Sequence, residues 1–227
     1  MNKTGSGLVA YCKSQLGKPY WYGTFGNKAT KSLLTAKAKQ YPGHYTDKRM
    51  DKYNSQIGQR VHDCVGLIKG YLWSDTPTSN PNYNASQDVS ANGMIGKCIE
   101  QGAISSIPEI PGLVVWRSGH VGVYIGNGKV IEARGFDYGV VETSLKLRGW
   151  KKWGKCPWVD YHNVKYFNAC NGDEKSIVDA LKKAGEKSSL ANRRIIAVAN
   201  GIKDYVGTPK QNIALLDLMK KGKLIKP

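Results

Sequence analysis

Residues 112–133 read GLVVWRSGHVGVYIGNGKVIEA. Three short runs rich in Val, Ile, Trp and Tyr stand out, Leu113–Trp116, Val121–Ile125 and Lys129–Ala133. Such residues fit a pleated, half-buried surface. Gly126-Asn127-Gly128, between the last two runs, is a hairpin signal. Further strands are expected at Val140–Thr143 and Cys156–Val159. Upstream the period changes. Leu8, Val9, Cys12 and Leu16 follow helical spacing, and Gly17 closes the run. Residues 64–73 (CVGLIKGYLW) read as a buried helix and 87–97 as another. Helices first and hairpin-linked strands later predict an α+β domain with an antiparallel sheet. Residues 27–60 are polar and basic, with few apolar anchors, and read as a surface insertion and candidate lid.

Beyond residue 160 the strand pattern stops. A polar connector over 163–172 separates the domain at 1–162 from a tail at 173–227. The tail predicts a small all-α module of three helices, near 175–184, 189–200 and 209–221. Thr208-Pro209-Lys210-Gln211 forms a capping box with proline at the first helical position.

The formal net charge is +17, and both parts of the chain carry it. Such a balance favours an anionic partner, whether nucleic acid, membrane surface or cell wall, without choosing among them. No apolar run is long enough to span a bilayer, so membrane insertion is not expected. The N-terminal stretch lacks the apolar region of a secretory signal, which predicts synthesis and retention in the cytoplasm until another route opens. Five cysteines, none in a C-x-x-C pair, argue against both a disulfide framework and a zinc ribbon. No spacing suited to metal ligands is present, and no cofactor is expected.

Three residues carry candidate chemistry. Cys64 precedes an apolar helix, where unpaired N–H groups and the helix dipole favour thiolate and supply an oxyanion donor. His120 opens a strand and can take up and return a proton. Glu132, on the next strand, can orient that imidazole. The hairpin register tests this last pairing. A plain two-residue turn sets His120 and Glu132 on opposite faces. A three-residue loop, or an equivalent bulge, sets them on one face as diagonal neighbours. Asp137 is a rival for the role, and His62 is a neighbour of the cysteine without an assigned part.

Four blocks in order carry a family resemblance: Pro19-Tyr20-Trp21-Tyr22-Gly23, Asp63-Cys64-Val65-Gly66, Pro111-Gly112, and His120-Val121-Gly122-Val123-Tyr124-Ile125-Gly126. Over residues 5–160 the chain resembles the NlpC-type family of bacterial cell-wall cysteine peptidases. The resemblance implies a papain-like core and cleavage of peptidoglycan stem peptides, most often between the γ-carboxyl of D-glutamate and a diamino acid. It implies Cys64 as nucleophile, His120 as base and Glu132 as the orienting residue. Tyr20 would stand on the oxyanion or substrate side, and Asp63 would hold the free amine of a stem peptide. Val65 stands where the family usually has serine, and Glu132 replaces a commoner histidine.

The tail, through Ala191–Arg194, Asn200–Ile202, Tyr205–Thr208 and Gln211-Asn212, resembles C-terminal modules of clostridial and phage lysins. That implies attachment to a Gram-positive wall, with teichoic acid phosphates as a match for the positive charge. Together these resemblances imply an endolysin released through a holin-opened membrane. An amidase cutting muramic acid from L-alanine, a non-catalytic wall-binding protein and a nucleic-acid binder using Arg193 and Arg194 remain as alternatives.

Overall fold

The computed structural model describes residues 3–161, 165–200, 202 and 204–226. Residues 163 and 164 of the expected connector lie outside these, as do 162, 201, 203 and 227. The chain divides into two compact units, 1–161 and 162–227.

The first unit begins with α1 (Gly5–Ser14), then β1 (Phe25–Lys28), α2 (Lys31–Gln40), α3 (Asp47–Ser55), β2 (Arg60–His62), α4 (Gly66–Trp73) and α5 (Ala91–Lys97). Six strands follow: β3 (Gln101–Ala103), β4 (Val114–Arg117), β5 (His120–Gly126), β6 (Lys129–Ala133), β7 (Val140–Ser144) and β8 (Lys152–Gly154). They form one antiparallel sheet in the order β3-β8-β4-β5-β6-β7. This is the expected α+β arrangement. Val121, Val123, Ile125 and Ile131 face Leu8 and Cys12 of α1, Ile68 of α4 and Met94 of α5. The opposite face packs Tyr124, Val130 and Val115 against Trp150 and Trp153. With both faces covered, β5 is apolar almost throughout rather than alternating.

The hairpin joining β5 and β6 resolves the question of register. Asn127 and Gly128 both take positive φ, 53° and 68°, as a two-residue I′-type turn requires. Gly126 pairs with Lys129, but Tyr124 pairs with Val130 and Val123 with Ile131. Ile125 is therefore a bulge, and beyond it the register sets Gly122 opposite Glu132. His120 and Glu132 thus share a face.

Two expectations are corrected. Residues 156–159 form a turn, and the last strand lies earlier, at Lys152–Gly154. The Cys156 N–H is taken by the Tyr161 hydroxyl at 3.0 Å, which removes it from any ladder. Residues 27–60 are anchored rather than loose. Tyr45 and Tyr53 pack with Trp21, Leu34 and Val61 in a core of their own. The Tyr53 ring, Arg49 and Lys52 all close on Phe136 of the β6–β7 loop.

One glycine fixes how α4 docks. A Cβ at Gly66 would lie 1.8 Å from the Thr24 carbonyl oxygen. Gly→Ala in a helix ordinarily stabilises by up to ~1 kcal/mol. Here Gly66→Ala should destabilise by about 1–3 kcal/mol through overpacking. A lower urea midpoint checks this, and an unchanged or higher one refutes it.

The second unit holds β9 (Lys165–Tyr166), α6 (Ile177–Lys183), α7 (Leu190–Ala199), α8 (Pro209–Lys220) and β10 (Ile225–Lys226). The three helices are those expected, and the Thr208–Gln211 capping box is formed. Ile177, Leu181, Ile196, Leu215, Met219 and Leu224 make its core. The stretch read as a connector contributes β9, which pairs with β10. Arg193 donates to Tyr205 at 2.9 Å and to Asn212 at 2.6 Å, and Arg194 donates to the Tyr205 carbonyl at 3.2 Å. Both arginines therefore pin the α7–α8 loop.

Candidate active site

The β2–α4 turn carries Asp63 and Cys64. Asp63 caps α4: its Oδ1 accepts the Gly66 N–H at 2.6 Å and its carbonyl accepts the Leu67 N–H at 3.0 Å. Its Oδ2 accepts the Gly23 N–H at 2.9 Å, which ties the aromatic 19–23 turn to the same point. Burial raises the Asp63 pKa, opposed by the Gly66 N–H, Lys69, the Gly23 N–H and Lys37. Asp63 is thus built into the scaffold while lining the cleft beside Cys64.

That cleft has a volume of about 660 Å³. Cys64, Asp63 and Gly119 line it, together with Lys37, Gln40 and Tyr41 of the 27–60 segment. The segment expected as a lid contributes to the lining of the cleft. Lys69 lies at the cleft, buried, and bonds Asp88 at 2.5 Å.

The Cys64 thiol is pushed up to about 12, first by burial and then by the Asp63 charge. The N–H groups of Val121, Val65 and Cys64 act in the opposite direction and do not prevail. The expected lowering by the helix terminus is therefore overturned, because desolvation outweighs the dipole. A thiol of this kind is neutral at pH 7, and to act as a nucleophile it would need a base. Alkylation of Cys64 should accordingly be slow at pH 7 and climb throughout the alkaline range. A rate already at its plateau at pH 7 would contradict this, with Cys64→Ala as the blank for the other thiols.

Val121, whose N–H reaches the sulfur, follows His120 directly. The His120 ring stacks on Trp150, with centroids 5.6 Å apart and planes 13° from parallel. Its Nε2 lies 2.7 Å from Oε2 of the fully buried Glu132. With Nε2 engaged, Nδ1 is the nitrogen left to accept a proton. Glu132 has further partners. Its Oε1 accepts Thr143 Oγ1 at 2.8 Å and Arg148 Nε at 2.7 Å, and Oε2 accepts Arg148 Nη2 at 3.0 Å. Burial pushes the Glu132 carboxyl up, but bonds from His120, Arg148 and Thr143 hold it down at about 2. It remains an anion across the useful pH range.

Thr143 and Arg148 lie beyond the residues that the sequence singles out. Strand pairing could have pointed to Thr143, since Val141 pairs with Glu132 and residue 143 then shares its face. Arg148 follows a short turn and belongs to no pattern. Asp137 is largely exposed and pairs with Lys52 at 3.7 Å, away from His120. Tyr20 bridges to His62, and its hydroxyl is raised by burial and by the nearby Asp63 and Cys64. His62 is a core residue. It lies 3.0 Å from the Tyr11 hydroxyl, and burial with Arg60 and Lys18 depresses it to about 3.

Among the described residues, no group of three or more His, Cys, Asp or Glu could hold a metal ion, and no helix is long and apolar enough to cross a membrane. No protein-family model and no curated protein matches the chain. Among solved structures, NlpC2 from Trichomonas vaginalis is 16% identical with a TM-score of 0.41, the match covering 70% of this chain and 48% of that one. The chain thus spans about half that protein's length. The peptidoglycan hydrolase RipB from Mycobacterium tuberculosis is 17% identical with a TM-score of 0.40, covering 69% and 65%. The P60 domain of an antigen from M. avium subspecies paratuberculosis is 17% identical with a TM-score of 0.41, covering 69% and 98%.

Proposed function

We propose that the chain is a peptidoglycan hydrolase that cuts stem peptides with Cys64 as nucleophile. One observation carries the reading: a cleft-lining cysteine reached by the N–H of Val121, the residue directly after a histidine whose Nε2 lies 2.7 Å from a buried glutamate.

His120 Nδ1 removes the thiol proton as sulfur attacks the scissile carbonyl carbon. The Cys64 N–H, with Tyr20, stabilises the oxyanion. The C–N bond breaks, His120 returns the proton to the departing amine, and a thioester remains. Water, deprotonated by His120, then cleaves the thioester and restores the thiol. Glu132 holds the imidazole in the required tautomer, and Arg148 keeps Glu132 in place. The favoured bond joins D-glutamate, through its γ-carboxyl, to the diamino acid. Asp63, which lines the cleft, would meet a substrate ammonium through the lone pairs its two N–H donors leave. The tail serves attachment to a Gram-positive wall, and the whole acts as an endolysin released at lysis.

The test is digestion of purified Gram-positive sacculi by wild type and Cys64→Ala, with mass spectrometry of the fragments. New amines on the diamino acid, from wild type alone, support the reading. New amines on L-alanine would replace it with the amidase. Equal release by both proteins, or by neither, would remove the catalytic proposal.

A further inference from the structure

A second cavity, of about 250 Å³, lies in the first unit between the 27–60 segment and the β6–β7 loop. Its volume is below the ~300–1,000 Å³ usual for a small-molecule site and suits one group of a larger ligand. Tyr22 lines both this cavity and the Cys64 cleft. Tyr20, whose hydroxyl feels the charges of Asp63 and Cys64, forms part of its wall. The cavity thus adjoins the cleft, within reach of a branch of a ligand held there.

Two arginines line it, Arg49 from α3 and Arg134 from the start of the β6–β7 loop. They differ in what they already hold. Arg49 Nη1 donates to the His44 carbonyl at 3.1 Å, and its guanidinium carbon lies 4.7 Å from the Phe136 ring centroid. Arg134 is half-buried and stacks on Tyr138, its guanidinium carbon 3.7 Å from the ring centroid. No hydrogen bond or ion pair among the described residues uses the Arg134 fork. Asp137, the acid of the lining, is largely exposed and pairs with Lys52 at 3.7 Å. The charge balance is therefore positive, and much of the remaining wall is aromatic. His44 lies flat on Tyr22, with ring centroids 3.7 Å apart. Stacking holds a guanidinium plane in place and leaves its edge N–H groups free. Such a fork matches a carboxylate through two parallel hydrogen bonds. Among the groups that a peptide carries, the carboxylate is the one that answers it.

We infer that Arg134, supported by Arg49, binds the free α-carboxylate of the D-glutamate whose γ-carbonyl Cys64 attacks. The inference rests on the hydrolase reading above and adds to it a basis for choosing substrates. This carboxylate belongs to the same residue as the scissile carbonyl. Tyr20 at the oxyanion and Arg134 at the carboxylate would then grip one residue from its two ends. The consequence is a preference for stems in which this group is a free acid over stems in which it is an amide.

The experiment uses the full chain carrying Cys64→Ala. It is titrated by calorimetry with L-alanyl-γ-D-glutamyl-L-lysine and with the diaminopimelate counterpart, each as the free acid and as the D-glutamate α-amide. At least one free acid should bind about tenfold or more tighter than its amide. Arg134→Met, added to the same chain, should weaken the acid about tenfold and change the amide less than about twofold. Amide binding thus checks that the variant is folded. Arg134→Lys keeps a charge without the fork and should retain only part of the preference. Acid and amide bound alike, no saturable binding of any of these peptides, or a preference that survives Arg134→Met overturns the inference. Its failure is distinct from that of the hydrolase reading, which the digestion of sacculi reports. Cutting without a preference leaves Cys64 as nucleophile, and a preference without cutting leaves the carboxylate site.

Discussion

Cys64→Ala should lower the hydrolysis of sacculi by about 10⁴–10⁶-fold while leaving the unfolding midpoint nearly unchanged. The two halves of this expectation have separate causes. Cys64 lies on the turn before α4, partly exposed at the cleft, and Asp63 rather than Cys64 caps the helix. Loss of the sulfur therefore removes little packing. Chemically there is no substitute. No other cysteine of its own unit can stand in, since Cys12, Cys98 and Cys156 are buried. His120→Ala should fall to a similar rate, and the double variant should fall no further, because in the proposed mechanism base and nucleophile act as one unit. Activity of Cys64→Ala within tenfold of wild type would exclude the thiol as nucleophile. Additive losses in the double variant would show that His120 works apart from Cys64.

The β5–β6 hairpin marks how far the amino-acid sequence is legible. Gly126-Asn127-Gly128 announces a turn, and Val and Ile on both sides announce strands. The face shared by His120 and Glu132 depends on one backbone residue, and the sequence allows both outcomes. The bulge at Ile125 decides it, and an isoleucine there carries no local sign of a bulge. The aromatic insertion is hidden for a related reason. Tyr45 and Tyr53 sit in a stretch that reads as polar surface, yet both pack on Trp21, with ring centroids 6.2 and 5.3 Å away. Long-range aromatic packing has no periodicity to reveal it. The direction of the Cys64 shift is concealed similarly. A helix terminus is local and readable, whereas the burial that outweighs it comes from strands and a 19–23 turn far away along the chain.

Glu132→Gln should destabilise the protein by about 2–3 kcal/mol at pH 7, with a deficit that shrinks as the solution is acidified. The folded carboxyl sits at about 2, below its ordinary 4.5. The folded state therefore favours the charged form. That contribution is complete above pH 4.5 and is lost progressively as pH falls toward 2. Glutamine does not titrate and never makes it. Wild type and variant should converge across this window, leaving only the mismatch of an amide placed between Thr143, His120 and Arg148. Urea midpoints at pH 7, 4 and 2 measure the convergence, and a gap that stays constant with pH would refute the electrostatic account. Activity supplies an independent reading. Glutamine can accept from His120 with its oxygen or oppose it with its NH₂, so the imidazole loses its fixed tautomer. A fall in kcat of about 10²–10⁴-fold with KM little changed is expected of a residue that positions the base. A change confined to KM would instead make Glu132 a substrate contact. The fully buried carboxylate, enclosed by four donor bonds from three side chains, has no lone pair directed at the cleft for that task.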